Sequence, residues 1–204
     1  GRCALFVNGS PVEKAVVVPG DTILLRGQLL LFCTRRVPSI PKTVYFLEKC
    51  FGDFGGPDAV GILGESPGIW QMRERIVFAA NAGKHLLLHG ESGTGKELAA
   101  RAVHTLSSRS AKPFVSRNAA TLPAGLIDAE LFGNAKNYPN PGMAERAGLI
   151  GEADGGTLFL DEIAEVPVEQ QAHLLRVLDS DGEYQRLGEA TSRRSDLILV
   201  GATN

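Results

Sequence analysis

One glycine-rich segment in the middle of the chain constrains its fold more than any other feature. It lies between an apolar run and a helix-forming run, and it reads Gly90-Glu91-Ser92-Gly93-Thr94-Gly95-Lys96-Glu97. The pattern G-x-x-x-x-G-K is that of a phosphate-binding loop, in which glycines let successive backbone N–H groups point at one anion. A helix that begins near Lys96 would add the positive end of its dipole. We therefore predict an ATP site in which the Lys96 ammonium contacts the β- and γ-phosphates.

The alternative is a plain glycine-rich turn with a solvated lysine, and the flanking strand and helix argue against it. Glu97 departs from the general pattern, in which Ser or Thr supplies a hydroxyl that helps to hold Mg²⁺. The sequence leaves open whether Thr94 or a water molecule replaces that hydroxyl.

A second segment carries two acidic residues at the end of an apolar strand. Residues 155–162 read GGTLFLDE, and Asp161 follows Lys96 by 65 positions. Alone, two acids after a strand form an ordinary solvated strand end. Paired with an upstream phosphate-binding loop, they predict that Asp161 holds Mg²⁺ through water and that Glu162 polarises the water that attacks the γ-phosphate.

Strands and helices are predicted to alternate after residue 61, which indicates an α/β fold with a parallel sheet and flanking helices. The predicted strands are 85–89, 113–118, 157–161 and 196–203, and the predicted helices are 67–82, 96–106, 122–132 and 167–179. Short apolar strands of this kind are buried on both faces of the sheet. The carboxyl ends of such strands line the ligand crevice in open α/β sheets.

The first part of the chain has a different character. Residues 1–36 contain short strand-like runs at 4–7, 16–18, 22–25 and 28–33. The turn formers Asn8-Gly9 and Pro19-Gly20-Asp21 separate them, which indicates part of a β-sandwich. Residues 37–60 are rich in proline and glycine and are predicted to be a linker. Residues 61–204 are predicted to form the α/β domain.

Composition and charge exclude several classes of protein. Hydrophobic residues make up 44% of the chain and charged residues 22%, which is typical of a globular domain rather than a disordered chain or a coiled coil. The formal net charge of −2 does not indicate a protein that coats nucleic acid, so DNA contact would need a local patch or a segment outside this chain. No apolar run reaches the roughly 18 residues that span a bilayer, so no membrane contact is expected.

Metal-ligating residues do not cluster in the sequence. Cys3, Cys33 and Cys50 are odd in number and form no C-x-x-C pair, which argues against a zinc site or a disulfide framework and favours a cytoplasmic protein. His85 and His89 would lie roughly 13 Å apart on a strand, too far to share a metal ion.

Four motifs together resemble a known family. They are GESGTGKE at 90–97, ELFG at 130–133, GGTLFLDEI at 155–163 and VGATN at 200–204. From residue 62 onward, the chain resembles the central AAA+ domain of sigma-54-dependent transcription activators. The resemblance implies an ATPase that assembles into a ring, usually a hexamer, and remodels RNA polymerase bound to sigma-54. It implies that a glutamate after the loop lysine, here Glu97, is normal in this family. It also implies that the arginine fingers, a helical lid and a DNA-binding helix-turn-helix lie after Asn204.

The same resemblance assigns two polar residues at strand ends. Asn118 matches the polar switch that family members place beside the catalytic glutamate, here Glu162. Asn204 matches the sensor residue that reads the γ-phosphate. The alternatives are a strand-terminal cap for Asn118 and a loop-starting residue for Asn204.

The loop that follows ELFG departs from the family. Activators that drive sigma-54 carry GAFTGA there, whereas residues 137–142 are NYPNPG. The length is kept, because 21 residues separate Gly133 from Gly155, as is common in the family. The loop from Asn137 to Met143 has either decayed or contacts sigma-54 differently or not at all. A second hypothesis follows, in which a phosphosignal-responsive regulator binds ATP without remodelling sigma-54.

The first 36 residues resemble the closing strands of a forkhead-associated (FHA) domain. The resemblance rests on Val7-Asn8-Gly9 and on the run from Pro19 to Leu25. It implies a possible phosphothreonine-containing protein partner, with Asn8 as either a residue at the base of that site or simply a turn residue.

Overall fold

The computed structural model of this protein describes residues 4–25, 29–33, 56–123, 125–179 and 181–204. The chain divides into two compact units, Gly1–Lys42 and Thr43–Asn204. Cys3, Cys50 and most of the predicted linker 37–60 lie outside the described residues. The domain boundaries 1–36, 37–60 and 61–204 therefore stay predictions.

The first unit is a four-stranded antiparallel sheet with the strand order β2-β1-β3-β4. Its strands are β1 (Leu5–Val7), β2 (Ser10–Val12), β3 (Thr22–Leu25) and β4 (Leu29–Phe32). Asn8 and Gly9 connect β1 to β2 with φ values of 51° and 81°. Positive φ at both central residues is what a two-residue hairpin turn requires.

The strand predicted at 16–18 is wrong. The tight turn at Asn8 returns the chain at once, so Val7 pairs with Ser10 and the second strand comes earlier than expected. The Asp21 carboxylate accepts a hydrogen bond from the Val18 N–H at 2.7 Å, and the chain from Val18 to Asp21 forms a turn. The apolar run at 16–18 therefore leads into a turn instead of joining the sheet.

Asn8 links two parts of this sheet. Its Nδ2 donates to Asp21 Oδ1 at 2.8 Å, and its Oδ1 accepts from the Thr22 N–H at 2.9 Å. Hydrogen bonds from the Val18 N–H and from Asn8 lower the pKa of Asp21. The Asn8 side chain is thus used within the unit, which favours its interpretation as a turn residue.

The second unit is an α/β domain around a four-stranded parallel sheet, with the strand order β5-β10-β7-β6. This confirms the predicted fold class. Its strands are β5 (Leu86–His89), β6 (Phe114–Asn118), β7 (Thr157–Asp161), β8 (Glu183–Tyr184), β9 (Arg193–Arg194) and β10 (Ile198–Thr203), where β8 and β9 form a separate hairpin. Its helices are α1 (Pro67–Ala82), α2 (Lys96–Leu106), α3 (Ile127–Phe132), α4 (Gly148–Glu152) and α5 (Val168–Leu178).

Local signals in the sequence set both ends of α1. The Ser66 side chain caps α1 at its first turn, Pro67 follows it, and Gly83 ends the helix in a left-handed conformation with φ 58°.

The centre of the sheet is fully buried. The central strands β7 and β10 carry Leu158, Leu160 and Val200, which are each 0% exposed. Within the described ranges, no helix combines the length and the apolar character needed to cross a membrane.

The helix predicted at 122–132 is too long. The structure has a short 3-10 helix at Ala119–Thr121, and α3 begins only at Ile127. Asn118 caps the 3-10 helix through its side chain, and the Pro123 carbonyl accepts from the Leu126 N–H in a turn. Polar capping and proline therefore interrupt the helix that the apolar pattern predicted.

Candidate functional site

The segment 90–97 forms a curled loop between β5 and α2. Gly93 and Gly95 have φ values of 80° and 86°, a left-handed conformation that glycine adopts without strain. Gly95 is the N-cap of α2, so the first N–H groups of the helix face the loop. Gly90 donates its N–H to the Thr203 carbonyl at 3.2 Å, which ties the loop to the end of β10.

Lys96 points its ammonium into this loop. Nζ donates to the Gly90 carbonyl at 2.7 Å, to the Glu91 carbonyl at 3.2 Å and to Asn204 Oδ1 at 2.6 Å. All three acceptors are neutral, and none of the ion pairs among the described residues involves Lys96. The ammonium of Lys96 therefore keeps its positive charge next to the backbone N–H groups at the start of α2. A cation beside several N–H donors is an arrangement that binds anions.

Asp161 and Glu162 lie at the carboxyl end of β7. Asp161 Oδ1 accepts from the Glu162 N–H at 3.0 Å. Glu162 has a left-handed backbone with φ 50° and ψ 46°, which costs about 1–2 kcal/mol for a residue with a side chain. Its Oε1 accepts from Asn204 Nδ2 at 3.0 Å.

Asn204 thus joins the basic and the acidic parts of the site. Strand order explains this position, because β10 pairs with both β5 and β7 and ends between the loop and Glu162. One carboxamide accepts from Lys96 and donates to Glu162. The structure brings together Lys96, Glu162 and Asn204 from three separate segments.

Asn118 lies beside this group but makes different contacts. Its backbone is the register partner of Asp161, while its Oδ1 accepts from the Ala120 N–H at 2.9 Å. In the described part of the chain, Glu162 accepts a hydrogen bond from Asn204 and none from Asn118. The switch role of Asn118 stays a prediction, and the capping alternative describes its present contacts.

Glu97 does not take the place of the missing hydroxyl. Its carboxylate pairs with Arg101 at 2.8 Å on the exposed face of α2, one helical turn further along. The Thr94 hydroxyl donates to the Glu91 carbonyl at 2.8 Å within the loop. Glu91 and Ser92 are exposed and contribute their backbone to the loop.

The carboxylates suit a water-rich magnesium ion better than a closed metal cage. No group of three or more His, Cys, Asp or Glu side chains gathers at metal-binding distance within the described ranges. Mg²⁺ is usually held by one or two carboxylates, several waters and substrate phosphates. Asp161, whose Oδ1 already accepts from the Glu162 N–H, fits that kind of binding.

A buried ion pair that sequence reasoning missed shapes the segment before α1. The Arg73 Nε lies 2.7 Å from Asp58 Oδ2, and both side chains are 2% exposed. Asp58 Oδ1 also accepts from the Val60 and Ile62 N–H groups, and Arg73 donates to the Ile62 carbonyl. Nothing in the sequence marks residues 15 positions apart as partners, since the pairing depends on a tight loop.

This loop packs against the first turn of α2. A methyl group on Gly61 would lie 3.5 Å from Leu98 Cδ1, two residues after Lys96. Leu63 is 60% exposed and Leu98 is 37% exposed. An exposed apolar side chain, Leu98, therefore lies beside Gly61 and close to the phosphate-binding loop.

His104 lies on α2 behind the loop and is buried. Its Nδ1 is 3.0 Å from Thr157 Oγ1, and its ring centroid is 5.2 Å from that of Phe114. Loss of solvent lowers the pKa of His104, and its interaction with the Lys112 backbone opposes that shift. The residue joins α2 to β7 through these contacts.

Comparison with known proteins agrees with this geometry. The fold and the loop define a domain of the AAA+ P-loop NTPase class, and residues 62–204 match the family described as the Sigma-54 interaction domain. The chain belongs to that family.

The most similar proteins include bacterial transcription regulators. The chain is 48% identical over 143 residues to the transcriptional regulator VasH of Vibrio cholerae, covering 70% of this chain and 27% of that protein. It is 47% identical over 144 residues to the Nif-specific regulatory protein of Rhizobium etli, covering 71% and 24%. The chain thus spans 24–27% of the length of these relatives.

Among solved structures, the chain resembles NtrX from Brucella abortus in complex with ATP. The TM-score is 0.62 and the identity is 36%, over 76% of this chain and 33% of that chain.

Proposed function

We propose that this domain binds ATP with Mg²⁺ and, in a ring of identical subunits, couples ATP hydrolysis to remodelling of RNA polymerase that carries sigma-54. The observation that carries the proposal is the Lys96 ammonium, which lies in the loop with only neutral acceptors and is joined through Asn204 to Glu162. Membership of the sigma-54 interaction family and the likeness to ATP-bound NtrX support it.

Binding of a triphosphate would replace these neutral acceptors. Lys96 Nζ would leave the carbonyl oxygens of Gly90 and Glu91 for phosphate oxygens, and the N–H groups at the start of α2 would donate to the same anion. Such an exchange is favourable, because hydrogen bonds to an ionised acceptor are roughly twice as strong as those between neutral groups.

The acidic residues would act on the γ-phosphate side. Asp161 would hold Mg²⁺ through water, and the ion, when bound, neutralises charge on the phosphates. The Asn204 Nδ2, which donates to Glu162 in this structure, would donate to the γ-phosphate instead and release Glu162, which would then orient the attacking water. Asn118, the register partner of Asp161, is the nearby polar group that would hold Glu162 after its release.

We also propose that the segment 58–64 supports the adenine base. Its conformation is fixed by the buried Asp58–Arg73 pair, and it packs against α2 next to the phosphate-binding loop. The exposed side chains of Leu63 and Leu98 would supply the apolar contact that a purine ring needs.

The loop from Asn137 to Met143 favours a second candidate function. Pro141 stands where active relatives have a glycine, which fixes φ and removes an N–H, and Pro139 stands where they have a phenylalanine. A domain with this loop would bind and hydrolyse ATP yet open sigma-54 promoters poorly. The second candidate is therefore a regulator that binds ATP without productive remodelling.

The other parts of the proposal rest on resemblance. Residues 1–36 would be the closing part of an FHA-like domain that contacts a phosphothreonine protein, residues 37–60 a linker, and residues 61–204 the N-terminal part of the AAA+ domain. DNA contact would come from a separate C-terminal domain of the whole protein.

ATP binding by this chain tests the core of the proposal. Lys96→Ala should abolish ATP–Mg²⁺ binding in calorimetry, because it removes the only lysine of the loop. Lys84→Ala is the matched control, since Lys84 is exposed and precedes the opposite end of β5. Equal affinity of the Lys96→Ala variant and the parent chain would overturn the phosphate-loop assignment.

A further inference from the structure

The helix that carries Lys96 and the strand that carries Asp161 are joined by a hydrogen bond far from the nucleotide site. His104, near the end of α2, places its Nδ1 3.0 Å from the hydroxyl oxygen of Thr157, the first residue of β7. His104 is 8% exposed and Thr157 is 1% exposed. Because burial removes the water that would otherwise serve as a partner, each of these polar groups depends on the other.

The helix and the strand have similar lengths between this hydrogen bond and the site. Lys96 and His104 lie eight residues apart on α2, which is about 12 Å at the helical rise of about 1.5 Å per residue. Thr157 and Asp161 lie four residues apart on β7, which is about 13 Å at about 3.3 Å per residue. The lysine and the aspartate are therefore carried by two regular elements of matching length that are joined where His104 contacts Thr157.

The same histidine contacts the strand that ends in Asn118. Its ring centroid lies 5.2 Å from that of Phe114, the first residue of β6. Phe114 is also the register partner of Thr157, just as Asn118 at the other end of β6 is the register partner of Asp161. His104 thus touches the starts of two neighbouring strands whose opposite ends carry residues of the candidate site.

The centre of α2 packs on the sheet through a small apolar side chain. Ala100 is 0% exposed and belongs to one buried cluster with Phe159, Ile198, Val200 and Ala202. Apolar contacts have no directional preference, so they define the position of the helix along a strand less sharply than a hydrogen bond does. The hydrogen bond between His104 and Thr157 therefore supplies a directional constraint that packing at Ala100 does not.

Nucleotide binding makes this constraint more important. The opposite end of α2 is held by Lys96, whose Nζ donates to Asn204 at 2.6 Å. In the proposed function, Lys96 exchanges its neutral acceptors for phosphate oxygens, and Asn204 turns to the γ-phosphate. The contact between His104 and Thr157 lies two helical turns away from these changes and would persist through them.

We propose that His104 is a positioning residue for ATP hydrolysis, which acts through Thr157 to fix the phosphate-binding helix α2 against the acid-bearing strand β7. The proposal rests on the proposed function, because it concerns the same reaction. ATP affinity should depend little on this contact, since the loop 90–97 and Lys96 form one continuous segment. Hydrolysis should depend on it strongly, because a displacement of about 1 Å between groups on two elements can lower a rate about a hundredfold.

Steady-state ATP hydrolysis by the full-length protein tests this role. Thr157→Val keeps the branched shape of the side chain but removes the hydroxyl, and it should lower kcat about tenfold while KM changes by less than about twofold. Thr157→Ser keeps the hydroxyl and should retain the kcat of the parent protein. Combining Thr157→Val with His104→Gln should lower kcat by less than the product of the two single effects, because both variants break the same hydrogen bond.

Ser195→Ala is the matched control for a loss of stability alone. Ser195 is 4% exposed, and its hydroxyl donates to the Ile150 carbonyl at 3.0 Å. The variant therefore also removes one buried hydroxyl hydrogen bond, but one that involves neither α2 nor β7. Ser195→Ala should lower the urea midpoint about as much as Thr157→Val and leave kcat unchanged. A kcat that falls equally in both variants, or that is unchanged in Thr157→Val, would overturn the positioning role.

Calorimetry on the same samples separates this inference from the proposed function. Thr157→Val should bind ATP–Mg²⁺ as tightly as the parent protein does. If the parent protein binds ATP and Thr157→Val does not, the contact maintains the loop itself, and the positioning role is overturned while the proposed function stands. If the parent protein neither binds nor hydrolyses ATP, both are overturned.

Discussion

The carboxamide oxygen of Asn204 lies 2.6 Å from the ammonium of Lys96, although 108 positions separate the two residues. The nitrogen of the same carboxamide donates to Glu162. The ammonium of the glycine-rich loop and an acid proposed to act on water are therefore joined by one neutral carboxamide. A ligand that accepts from the Asn204 nitrogen takes that donor away from Glu162.

This relationship predicts the effect of Asn204→Ala. The variant should still bind ADP, because the loop and Lys96 remain. The ratio of its affinity for ATP to its affinity for ADP should fall about tenfold. A hydrogen bond to a charged group contributes about 1.5–3 kcal/mol, and only ATP has the γ-phosphate to accept one. Calorimetry with both nucleotides measures the ratio. Thr203→Ala, one residue earlier on β10, is the control, and an unchanged ratio in Asn204→Ala would exclude a sensor role.

Hydrolysis by the 204-residue chain should be very slow or undetectable. Phosphoryl transfer needs a cation at the developing charge, and an arginine finger is worth about 10³–10⁵ in rate. The family resemblance implies that a neighbouring subunit supplies that arginine. A phosphate-release assay at high protein concentration is the measurement, with Glu162→Gln as the background. Rapid turnover that Glu162→Gln abolishes would show that no such arginine is needed.

Breaking the buried pair should destabilise the α/β unit strongly. Asp58→Asn removes the carboxylate that lies 2.7 Å from the buried Arg73 guanidinium, and breaking a buried pair typically costs about 3–5 kcal/mol. The exposed pair of Glu97 and Arg101 is the matched control, and Glu97→Gln should cost no more than about 0.5 kcal/mol. Urea unfolding followed by the fluorescence of Trp70, the single tryptophan, reports on α1 directly. Similar midpoints for the two variants would contradict the importance of the buried pair.

Stability should fall below neutral pH because of His104. Burial lowers its pKa in the folded chain, so the unfolded chain binds a proton more readily. The free energy of unfolding is then highest above the unfolded pKa of about 6.5 and decreases as the pH falls below it, by at most about 1.4 kcal/mol per pH unit. His104→Gln should remove this dependence between pH 7.5 and pH 5.5. An identical pH profile for the variant and the parent chain would assign the effect to other groups.

The loop from Asn137 to Met143 should limit promoter opening rather than nucleotide binding. Replacing residues 137–142 with GAFTGA should create or raise open-complex formation by the full-length protein in a purified sigma-54 system, because it restores the aromatic residue and removes both prolines. ATP affinity should not change. Strong opening by the native protein would show that the loop tolerates far more variation than we infer.

Elements with a backbone signal at their ends could be predicted from the sequence. Pro67 and Gly83 bound α1, and Gly95 precedes the first residue of α2. By contrast, the apolar pattern predicted a continuous helix over 122–132, but α3 begins only at Ile127. Asn118 and Pro123 redirect the backbone before that point. The side-chain cap of Asn118 and the turn at Pro123 therefore set the start of α3, although the apolar periodicity predicted an earlier start.

The candidate site was predictable in part. Phosphate-loop and strand-end residues follow from their spacing, because parallel strands bring their carboxyl ends to one edge. The bridge from Lys96 through Asn204 to Glu162 could not be found in this way, since it depends on β10 lying between β5 and β7. The hairpin of β8 and β9 was missed as well, because strands of two residues carry too few side chains to show an alternating pattern.

The backbone of Glu162 has a consequence for how this position responds to selection. Its left-handed conformation costs about 1–2 kcal/mol, and glycine would avoid that strain at an entropic cost of about 0.5–1 kcal/mol. A library enriched only for heat resistance would therefore tend to replace the acid that we propose orients the attacking water. Rankings of variants by melting temperature and by turnover should run in opposite directions at this residue.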